Sequence, residues 1–250
     1  MRSNDTIIYE PKGRAREYAP LACNLAVGCV HRCTYCYGPG TFRIDRASWG
    51  EVRLKADAVA RFDRAAQQIQ GDPREILFSF ATDPLGTLEQ VEQLHQALDV
   101  VERYRLRVTV LTKNPAAAKA FAPQFVRNGW RLGVTVCFVD EFLRAEWEPG
   151  APSIRARLEA LTWLWTFGVQ TWASVEPVVD PVEALRAIRA LLEAGVGEIR
   201  VGHWNHDPRA RQIDWAAFYA QAAALLVGRG HPHLFKADLL AAAGVAEKKA

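Results

Sequence analysis

Several features that define other classes of protein are missing from this sequence. No apolar stretch approaches the ~20 residues of a membrane span, and residues 1–5 lack the apolar core of a signal peptide. Lys and Arg number 31 against 28 Asp and Glu, so neither sign of charge dominates. These absences exclude a membrane protein, a collagen, a coiled coil and a disordered chain. We expect a cytoplasmic protein without a membrane partner, and the mild positive balance alone does not indicate nucleic acid.

Cysteine is scarce, and its distribution argues against a disulfide framework. The chain has five cysteines, an odd number, and no export signal, which favours a metal site or a catalytic thiol. Three of them follow the spacing Cys29-x3-Cys33-x2-Cys36, with Gly28 before them and Gly-Pro-Gly soon after. Short gaps and flanking glycines let a loop curl so that three sulfurs face one centre.

Three thiolates in this pattern suit zinc or an iron–sulfur cluster. A structural zinc takes four ligands, so Cys23 or His31 would have to complete the set. A [4Fe–4S] cluster usually takes four cysteines, and three leave one iron open to a substrate or a cofactor. Spacing alone does not choose between the two interpretations.

Predicted strands and helices alternate about six times along the rest of the chain. Strands are predicted at 21–27, 75–80, 106–111, 130–138, 169–175 and 198–201, with a last short one at 233–235, and helices at 52–70, 87–103, 115–126, 152–167, 182–193 and 215–227. This pattern predicts the α/β class, as a partial (β/α)6 TIM-like barrel of parallel strands with helices outside. We expect one domain at 21–240, an N-terminal leader at 1–20 and a C-terminal tail at 241–250.

Polar residues collect where the predicted strands end, which is where parallel barrels place their active sites. Beyond the three cysteines they are Thr82 and Asp83 after strand two, Lys113 after strand three, Cys137 on strand four, Ser174 and Glu176 on strand five, and Asn205 after strand six. Glu176 is awkward to bury unpaired, so we expect a site role or an arginine partner for it. Cys137 is either a buried strand residue or a thiol that faces the site.

The cysteine spacing, with Tyr35 just before the last cysteine, resembles the signature of the radical S-adenosylmethionine (SAM) superfamily. The resemblance implies a [4Fe–4S] cluster on Cys29, Cys33 and Cys36, with SAM on the open iron. The reduced cluster would cleave SAM to methionine and a 5′-deoxyadenosyl radical that abstracts hydrogen from a substrate. It also implies a reducing electron donor of flavodoxin or ferredoxin type.

Within the superfamily the chain is most similar to the spore photoproduct lyase-like branch, through Ala-Thr-Asp-Pro at 81–84, Thr-Lys-Asn at 112–114 and Glu-Pro-Gly-Ala-Pro-Ser at 148–153. By this resemblance Tyr35 lies near the adenine, Thr82 and Asp83 take the place of the usual Gly-Gly-Glu, and Lys113 meets the SAM carboxylate. Ser174 and Asn205 are weaker candidates for the ribose and the carboxylate.

One departure from the lyases concerns the strand-two loop. They carry a hydrogen-donating cysteine there, and this chain has Phe80-Ala81-Thr82. Cys137, if it faces the radical, is a candidate to donate a hydrogen atom or to hold substrate.

The substrate, a small molecule or a nucleic acid, is not identified. Two alternatives stay open: a lyase-like enzyme that acts on nucleic acid, and a non-catalytic zinc or iron–sulfur binding module.

Overall fold

The computed structural model describes residues 7–245 and is built around one main sheet of eight strands, with helices on its outer side. No helix within that range combines the length and the apolar character needed to cross a bilayer. Residues 1–6 of the predicted leader and 246–250 of the predicted tail lie outside the described residues.

Eight strands form the main sheet: β1 (Ile8–Tyr9), β2 (Leu21–Cys23), β5 (Glu75–Phe78), β6 (Arg107–Thr112), β7 (Arg131–Thr135), β8 (Gln170–Val175), β9 (Glu198–Val201) and β10 (His233–Phe235). Their order in the sheet is β1-β2-β5-β6-β7-β8-β9-β10. Every neighbouring pair from β2 to β10 is parallel, and β1 pairs antiparallel with β2. A second sheet pairs β3 (Ala26–Val27) with β4 (Arg53–Leu54).

The helices follow the strands as the alternation predicts. They are α1 (Gly38–Phe42), α2 (Ala58–Gln68), α3 (Leu88–Arg103), α4 (Ala122–Asn128), α5 (Glu141–Trp147), α6 (Ile154–Phe167), α7 (Pro181–Glu193), α8 (Trp215–Leu226) and α9 (Ala237–Ala242). Local chemistry fixes several ends: the Thr87 hydroxyl accepts from the Gln90 N–H to begin α3, and Gly168 ends α6 with φ +101°. The prediction of a parallel partial barrel with helices outside is confirmed.

The barrel interior is filled beneath its carboxyl edge by one large aromatic side chain. The ring of Trp172 on β8 is fully buried, and its indole N–H donates to Thr109 Oγ1 at 2.8 Å. Gly133 on β7 makes room for this ring, since a Cβ there would lie 2.2 Å from it. The guanidinium of Arg200 stacks on the ring at 4.5 Å. Any ligand site must therefore lie above Trp172, at the carboxyl edge.

Some predicted element boundaries are wrong. The strand predicted at 21–27 ends at Cys23, because residues 26–27 turn away to pair with 53–54. The helix predicted from 52 begins at Ala58 for the same reason, after Asp57 in a left-handed conformation. The strand predicted at 130–138 ends at residue 135, and the first part of the helix predicted at 115–126 is a 3-10 helix.

The segment predicted as a leader is part of the fold in its described portion. Residues 8–9 form the antiparallel edge strand, and Arg14 of the 3-10 helix at Gly13–Glu17 donates to Asn205, which follows β9. The N-terminal segment thus reaches the carboxyl edge of the barrel.

Candidate active site

A cavity of about 470 Å³ lies at the carboxyl ends of the parallel strands. All of the predicted site residues except Cys137 line it: Cys29, Cys33, Tyr35, Cys36, Thr82, Asp83, Lys113, Ser174, Glu176 and Asn205. His31 lines it as well, and so do residues that the sequence did not indicate, among them Tyr18, Thr135 and Lys236. The strand ends thus bring together side chains that are far apart along the chain.

Glycines allow the cysteine loop to lie close to its supporting segment. Gly28 has φ +93°, and a Cβ there would lie 2.3 Å from the Glu51 carbonyl oxygen. The backbone N–H of Cys29 donates to the Trp49 carbonyl at 2.8 Å. At the far end of the loop, a Cβ on Gly38 would lie 2.2 Å from the Trp49 ring. Only glycine fits at these two positions, and the loop is held in one conformation.

The cysteine side chains occupy an environment that suits a bound metal centre. The Arg46 guanidinium donates to the carbonyls of Cys33, at 3.2 Å, and Cys36, at 2.8 Å. The N–H of Gly38 donates to the Cys36 sulfur at 3.4 Å. Burial raises the pKa of the Cys29 and Cys33 thiols to about 12. Buried thiols of this kind are inert until a metal takes the place of their protons.

Neither residue that would complete a four-ligand zinc site is available for it. Both ring nitrogens of His31 have protein partners: Nε2 meets Asp83 Oδ2 at 2.8 Å, and Nδ1 meets the Gly150 carbonyl at 3.1 Å. Cys23 is fully buried on β2 within the apolar core. Within residues 7–245, no group of three or more His, Cys, Asp or Glu converges tightly enough to hold a single metal ion. The three loop cysteines therefore line the cavity without a fourth protein ligand beside them.

Asp83 is at the cavity wall, but its carboxylate is already saturated. One oxygen accepts from Thr112 Oγ1 at 2.7 Å and the Leu85 N–H at 2.9 Å. The other accepts from His31 at 2.8 Å and the Lys113 N–H at 2.7 Å. Burial alone would raise the pKa of Asp83, but His31 and the two backbone donors lower it to about 2. Four donors fill the capacity of a carboxylate, so Asp83 orders this wall and leaves no lone pair for a ligand.

A fully buried acid, Glu148, lies at the centre of the wall beside the cysteines. Its Oε2 is 2.5 Å from Arg157 Nη2, its Oε1 accepts from the Tyr35 hydroxyl, and Lys113 Nζ lies 3.8 Å from Oε1. Burial opposes ionisation, but Lys113 and Arg157 lower the pKa of Glu148. Two cations therefore face one anion, and the cluster of side chains has a surplus positive charge.

The sequence indicated these residues only in part. Glu148 appeared in a family motif without a role, and no pattern in the sequence singled out Arg157. A buried arginine on the inner face of α6 is detectable only once the face of that helix is known.

The fourth strand of the predicted barrel is β7 in the structure, and it brings a different residue to the cavity from the one predicted. Thr135, the last residue of β7, lines the cavity. Cys137 lies beyond the strand, 1% exposed, behind the wall that Lys113 and Glu148 form. Burial raises the pKa of its thiol. Cys137 thus has the buried position that the sequence left open, and it does not line the cavity.

The opposite wall holds a second buried ion pair. Lys236 Nζ lies 2.6 Å from Glu176 Oε2, and the same oxygen accepts from the Tyr18 hydroxyl at 2.5 Å. The Tyr18 hydroxyl is also 3.3 Å from Ser174 Oγ, and the ammonium lies 3.5 Å from the Tyr18 ring centre. Burial and the nearby Glu176 raise the pKa of Tyr18 well above its ordinary value. The expected partner of Glu176 is present, and it is a lysine rather than an arginine.

Asn205 joins the two ends of the described chain at the cavity mouth. Its carbonyl oxygen accepts from Arg14 Nη1 at 2.7 Å, and its amide donates to Asp238 Oδ2 at 2.6 Å. Arg14 Nε is 3.3 Å from the same Asp238 oxygen. Thr82, on the other side, accepts from Gln90 Nε2 at 2.7 Å. Both predicted residues line the cavity while bonded to protein partners.

The chain folds as a parallel partial barrel, and the segment after its first parallel strand brings three cysteines to a cavity at the carboxyl edge. This is the architecture of a cofactor-dependent enzyme. The family model "Radical SAM superfamily" matches residues 23–203. The chain belongs to that superfamily of enzymes.

Individual relatives are distant. An "Uncharacterized protein ORF301" of Acidianus two-tailed virus is 23% identical over 192 residues, which cover 71% of this chain and 62% of that protein. A spore photoproduct lyase mutant with bound AdoMet and dinucleoside spore photoproduct superposes with a TM-score of 0.62 at 16% identity, covering 88% of this chain and 64% of that one. Streptococcus suis SuiB bound to S-adenosylmethionine gives 0.64 at 12% identity, covering 88% and 51%. The chain spans less than two thirds of the length of each of these relatives.

Proposed function

We propose that the protein binds a [4Fe–4S] cluster through Cys29, Cys33 and Cys36 and uses it to cleave SAM. These three cysteines would hold the cluster, which would supply the electron for reductive cleavage of SAM at the bond from sulfur to the 5′ carbon. The chemistry supplied in this way would be hydrogen abstraction from a substrate that is not identified.

The observation that carries this proposal is the set of three cysteines at one cavity without a fourth protein ligand. His31 uses both ring nitrogens within the protein, and Cys23 lies in the core. Three thiolates fit a cubane cluster with one open iron. A closed zinc site needs a fourth ligand, so the donor set favours the cluster over the zinc module.

The cavity wall beside the cysteines suits the amino-acid end of SAM. Two cations, Lys113 and Arg157, face the single negative charge of Glu148. Arg157 also donates hydrogen bonds to the Thr135 and Pro152 carbonyls. Lys113 therefore offers its ammonium to the carboxylate of the ligand as a charge-assisted donor. The hydroxyl of Tyr35 donates to Glu148 on this wall, and the family resemblance alone assigns Tyr35 to the adenine.

The opposite wall suits the substrate. Glu176 and Ser174 line the cavity across from the cysteines, with Tyr18 and Lys236 holding the Glu176 carboxylate in place. A substrate between the two walls would meet this acid directly, which supports Glu176 as a group that orients substrate or exchanges a proton with it.

A lyase-like enzyme that acts on nucleic acid is a second candidate. Lys12 and Arg14, both exposed, line the cavity together with Tyr18 and Phe80. Basic and aromatic side chains together suit the phosphates and bases of a single strand. The relevant measurement is oligonucleotide binding across a series of salt concentrations, since phosphate contacts weaken steeply with salt.

Anaerobic reconstitution with iron and sulfide tests the main proposal. The reduced wild type with SAM is expected to form 5′-deoxyadenosine, and Cys33→Ser is expected to lose both iron and product. Cys23→Ser is the matched control, because this cysteine lies six residues before the loop and outside the cavity. Zinc in place of iron, or equal loss in both variants, contradicts the proposal.

A further inference from the structure

The side-chain amide of Asn205, which lines the cavity, is held in one orientation by two charged neighbours. Arg14 can only donate, so the amide atom that lies 2.7 Å from its Nη1 is the carbonyl oxygen. On the other side, the Asp238 carboxylate accepts from the amide nitrogen at 2.6 Å. Turning the amide round would set its nitrogen against Arg14 and its oxygen against Asp238, so the orientation is fixed.

This orientation decides which ring nitrogen of His203 carries hydrogen. His203 Nδ1 lies 3.2 Å from the same Asn205 oxygen, so Nδ1 donates to that oxygen. In the neutral imidazole the other nitrogen, Nε2, is then an acceptor. The Trp215 ring, whose centre is 4.1 Å away, packs against the imidazole, and His203 lines the cavity. The fixed amide therefore gives the cavity an imidazole that accepts hydrogen bonds.

Glu176 places a second acceptor beside this ring. Gly202 directly precedes His203, and a Cβ on Gly202 would lie 2.4 Å from the Glu176 carboxyl carbon. The Glu176 carboxylate is held through Oε2, which meets Tyr18 and Lys236. In the described part of the chain, neither Glu176 Oε1 nor His203 Nε2 has a hydrogen-bond partner, and neither atom is cut off from solvent. Both side chains line the cavity, so this wall offers two acceptors to a ligand.

The charges around the two acceptors favour an uncharged ligand. Lys236 already pairs with Glu176 at 2.6 Å, and Lys12 and Arg14 also line the cavity. An ammonium group on the ligand would therefore meet cations as well as the carboxylate. A phosphate or a carboxylate would set its own acceptor oxygens against the acceptors of the wall. Hydroxyl groups both donate and accept, so they suit the two acceptors and the neighbouring Lys236 ammonium without adding a charge.

We propose that this wall binds an uncharged, polyhydroxylated substrate, such as a sugar or a sugar alcohol, whose hydroxyl groups donate to Glu176 Oε1 and His203 Nε2. Asn205 is the positioning residue that keeps His203 in its accepting form. This inference names a substrate class for the proposed function and rests on that function.

Nuclear magnetic resonance measures the form of His203 directly. Long-range couplings in the full chain with isotopically labelled histidine show which ring nitrogen carries hydrogen, and His203→Phe identifies the His203 signals. At a pH where the imidazole is neutral, the wild type is expected to carry hydrogen on Nδ1. Asn205→Leu is expected to move it to Nε2, the form that free histidine prefers in water. A wild type with hydrogen on Nε2 overturns the proposal.

Ligand binding is measured under nitrogen by saturation-transfer magnetic resonance, on reconstituted protein with SAM already bound. A set of linear probes of equal carbon number differs only in polar groups: erythritol carries hydroxyls, putrescine ammonium groups, succinate carboxylates and succinamide amides. The test variant is His203→Phe, which keeps an aromatic ring against Trp215. The control is His206→Asn, since His206 also lines the cavity, is exposed, and has a left-handed φ of +67° that asparagine tolerates.

Erythritol is expected to be the preferred probe of the wild type. His203→Phe is expected to weaken erythritol binding about three- to tenfold, the range for one lost hydrogen bond between neutral groups. Asn205→Leu is expected to weaken it similarly, although the imidazole is still present, and His206→Asn is expected to match the wild type.

Several outcomes overturn the proposal. They are a preference for any other probe, no binding of erythritol, and equal losses in His203→Phe and His206→Asn. Weaker SAM binding in His203→Phe, measured by calorimetry, also overturns it, because this result would assign the wall to the ribose of SAM.

Failure of the proposed function has a different signature. If the reconstituted wild type forms no 5′-deoxyadenosine, SAM cleavage is contradicted, while the erythritol measurements, repeated without the cluster, still test the wall. If 5′-deoxyadenosine forms and erythritol does not bind, the proposed function stands and the substrate class is wrong.

Discussion

The imidazole of His31 and the carboxylate of Asp83 meet at 2.8 Å and join the cysteine loop to the loop after β5. Both side chains are nearly inaccessible to solvent, at 4% and 6% exposure. Asp83 also holds the end of β6 through Thr112. One carboxylate therefore ties the loop that carries the cysteines to two adjacent strands. Its loss is expected to affect the cysteine loop before the rest of the barrel.

Asp83→Asn is expected to destabilise the metal-free protein by about 2–4 kcal/mol near neutral pH, because it weakens a buried network of four hydrogen bonds. The folded-state pKa of Asp83, about 2, is below the ordinary value of 3.8. The stabilisation from this shift is therefore present above pH 3.8 and is lost as the pH falls through about 2. Urea unfolding at a series of pH values is expected to show the wild type and the variant converging below pH 3.8.

Asp180→Asn is the matched control for that series. Asp180 caps α7 by accepting from the Val182 and Glu183 N–H groups at 2.8 and 3.0 Å. Asparagine caps helices about as well as aspartate, so this variant is expected to match the wild type. An Asp83→Asn deficit that does not shrink in acid contradicts the assignment.

Glu148→Gln is expected to cost about 3–5 kcal/mol of unfolding free energy, because Lys113 and Arg157 lose the anion between them in a buried site. The exposed i,i+4 pair of Arg155 with Glu159, at 3.3 Å, provides the comparison. Glu159→Gln is expected to change stability by at most about 0.5 kcal/mol. Chemical denaturation of the two variants measures both losses of unfolding free energy. Similar losses would show that the buried ion pairs of Glu148 stabilise the protein no more than an exposed pair does.

Lys113→Met is expected to weaken SAM binding about 10- to 150-fold, the range for a lost hydrogen bond to a charged group. Calorimetric titration of reconstituted protein under nitrogen measures this directly. Lys119→Met is the control, since Lys119 lies over the Trp163 ring on the outer surface at 5.2 Å. Unchanged affinity in Lys113→Met argues that another group binds the carboxylate of SAM.

Glu176→Gln and Lys236→Met are each expected to cost about 3 kcal/mol, because each leaves its buried partner without a counter-charge. Since the two groups lie 2.6 Å apart, the double variant is expected to cost less than the sum. The expected coupling is about 1–3 kcal/mol. Additive losses in urea denaturation would mean that the pair does not act as a unit.

The sequence predicted the fold because the strand and helix patterns are local. Periodicity places the parallel strands and the cysteine loop, and the rule that barrel sites lie at strand ends gathers Lys113, Ser174 and Glu176. Pairing in the sheet is not local: residues 53–54 look helical until Val27 is available as a partner. The side chains that complete the site also depend on contacts between distant parts of the chain. Tyr18 and Lys236 meet Glu176 only because the first and last described elements close over the barrel.

That closure has a consequence for how the protein is made. The bond from Arg14 to Asn205 spans 191 residues, and both residues then meet Asp238 near the end of the described chain. Because closing a loop of that length costs conformational entropy, we expect this contact to form after the strands between. During synthesis the cysteine loop emerges early, but its cavity lacks one wall and its mouth until α9 has left the ribosome. Cluster insertion into the nascent chain would therefore meet an open, three-sided site, whereas insertion after release meets the finished cavity.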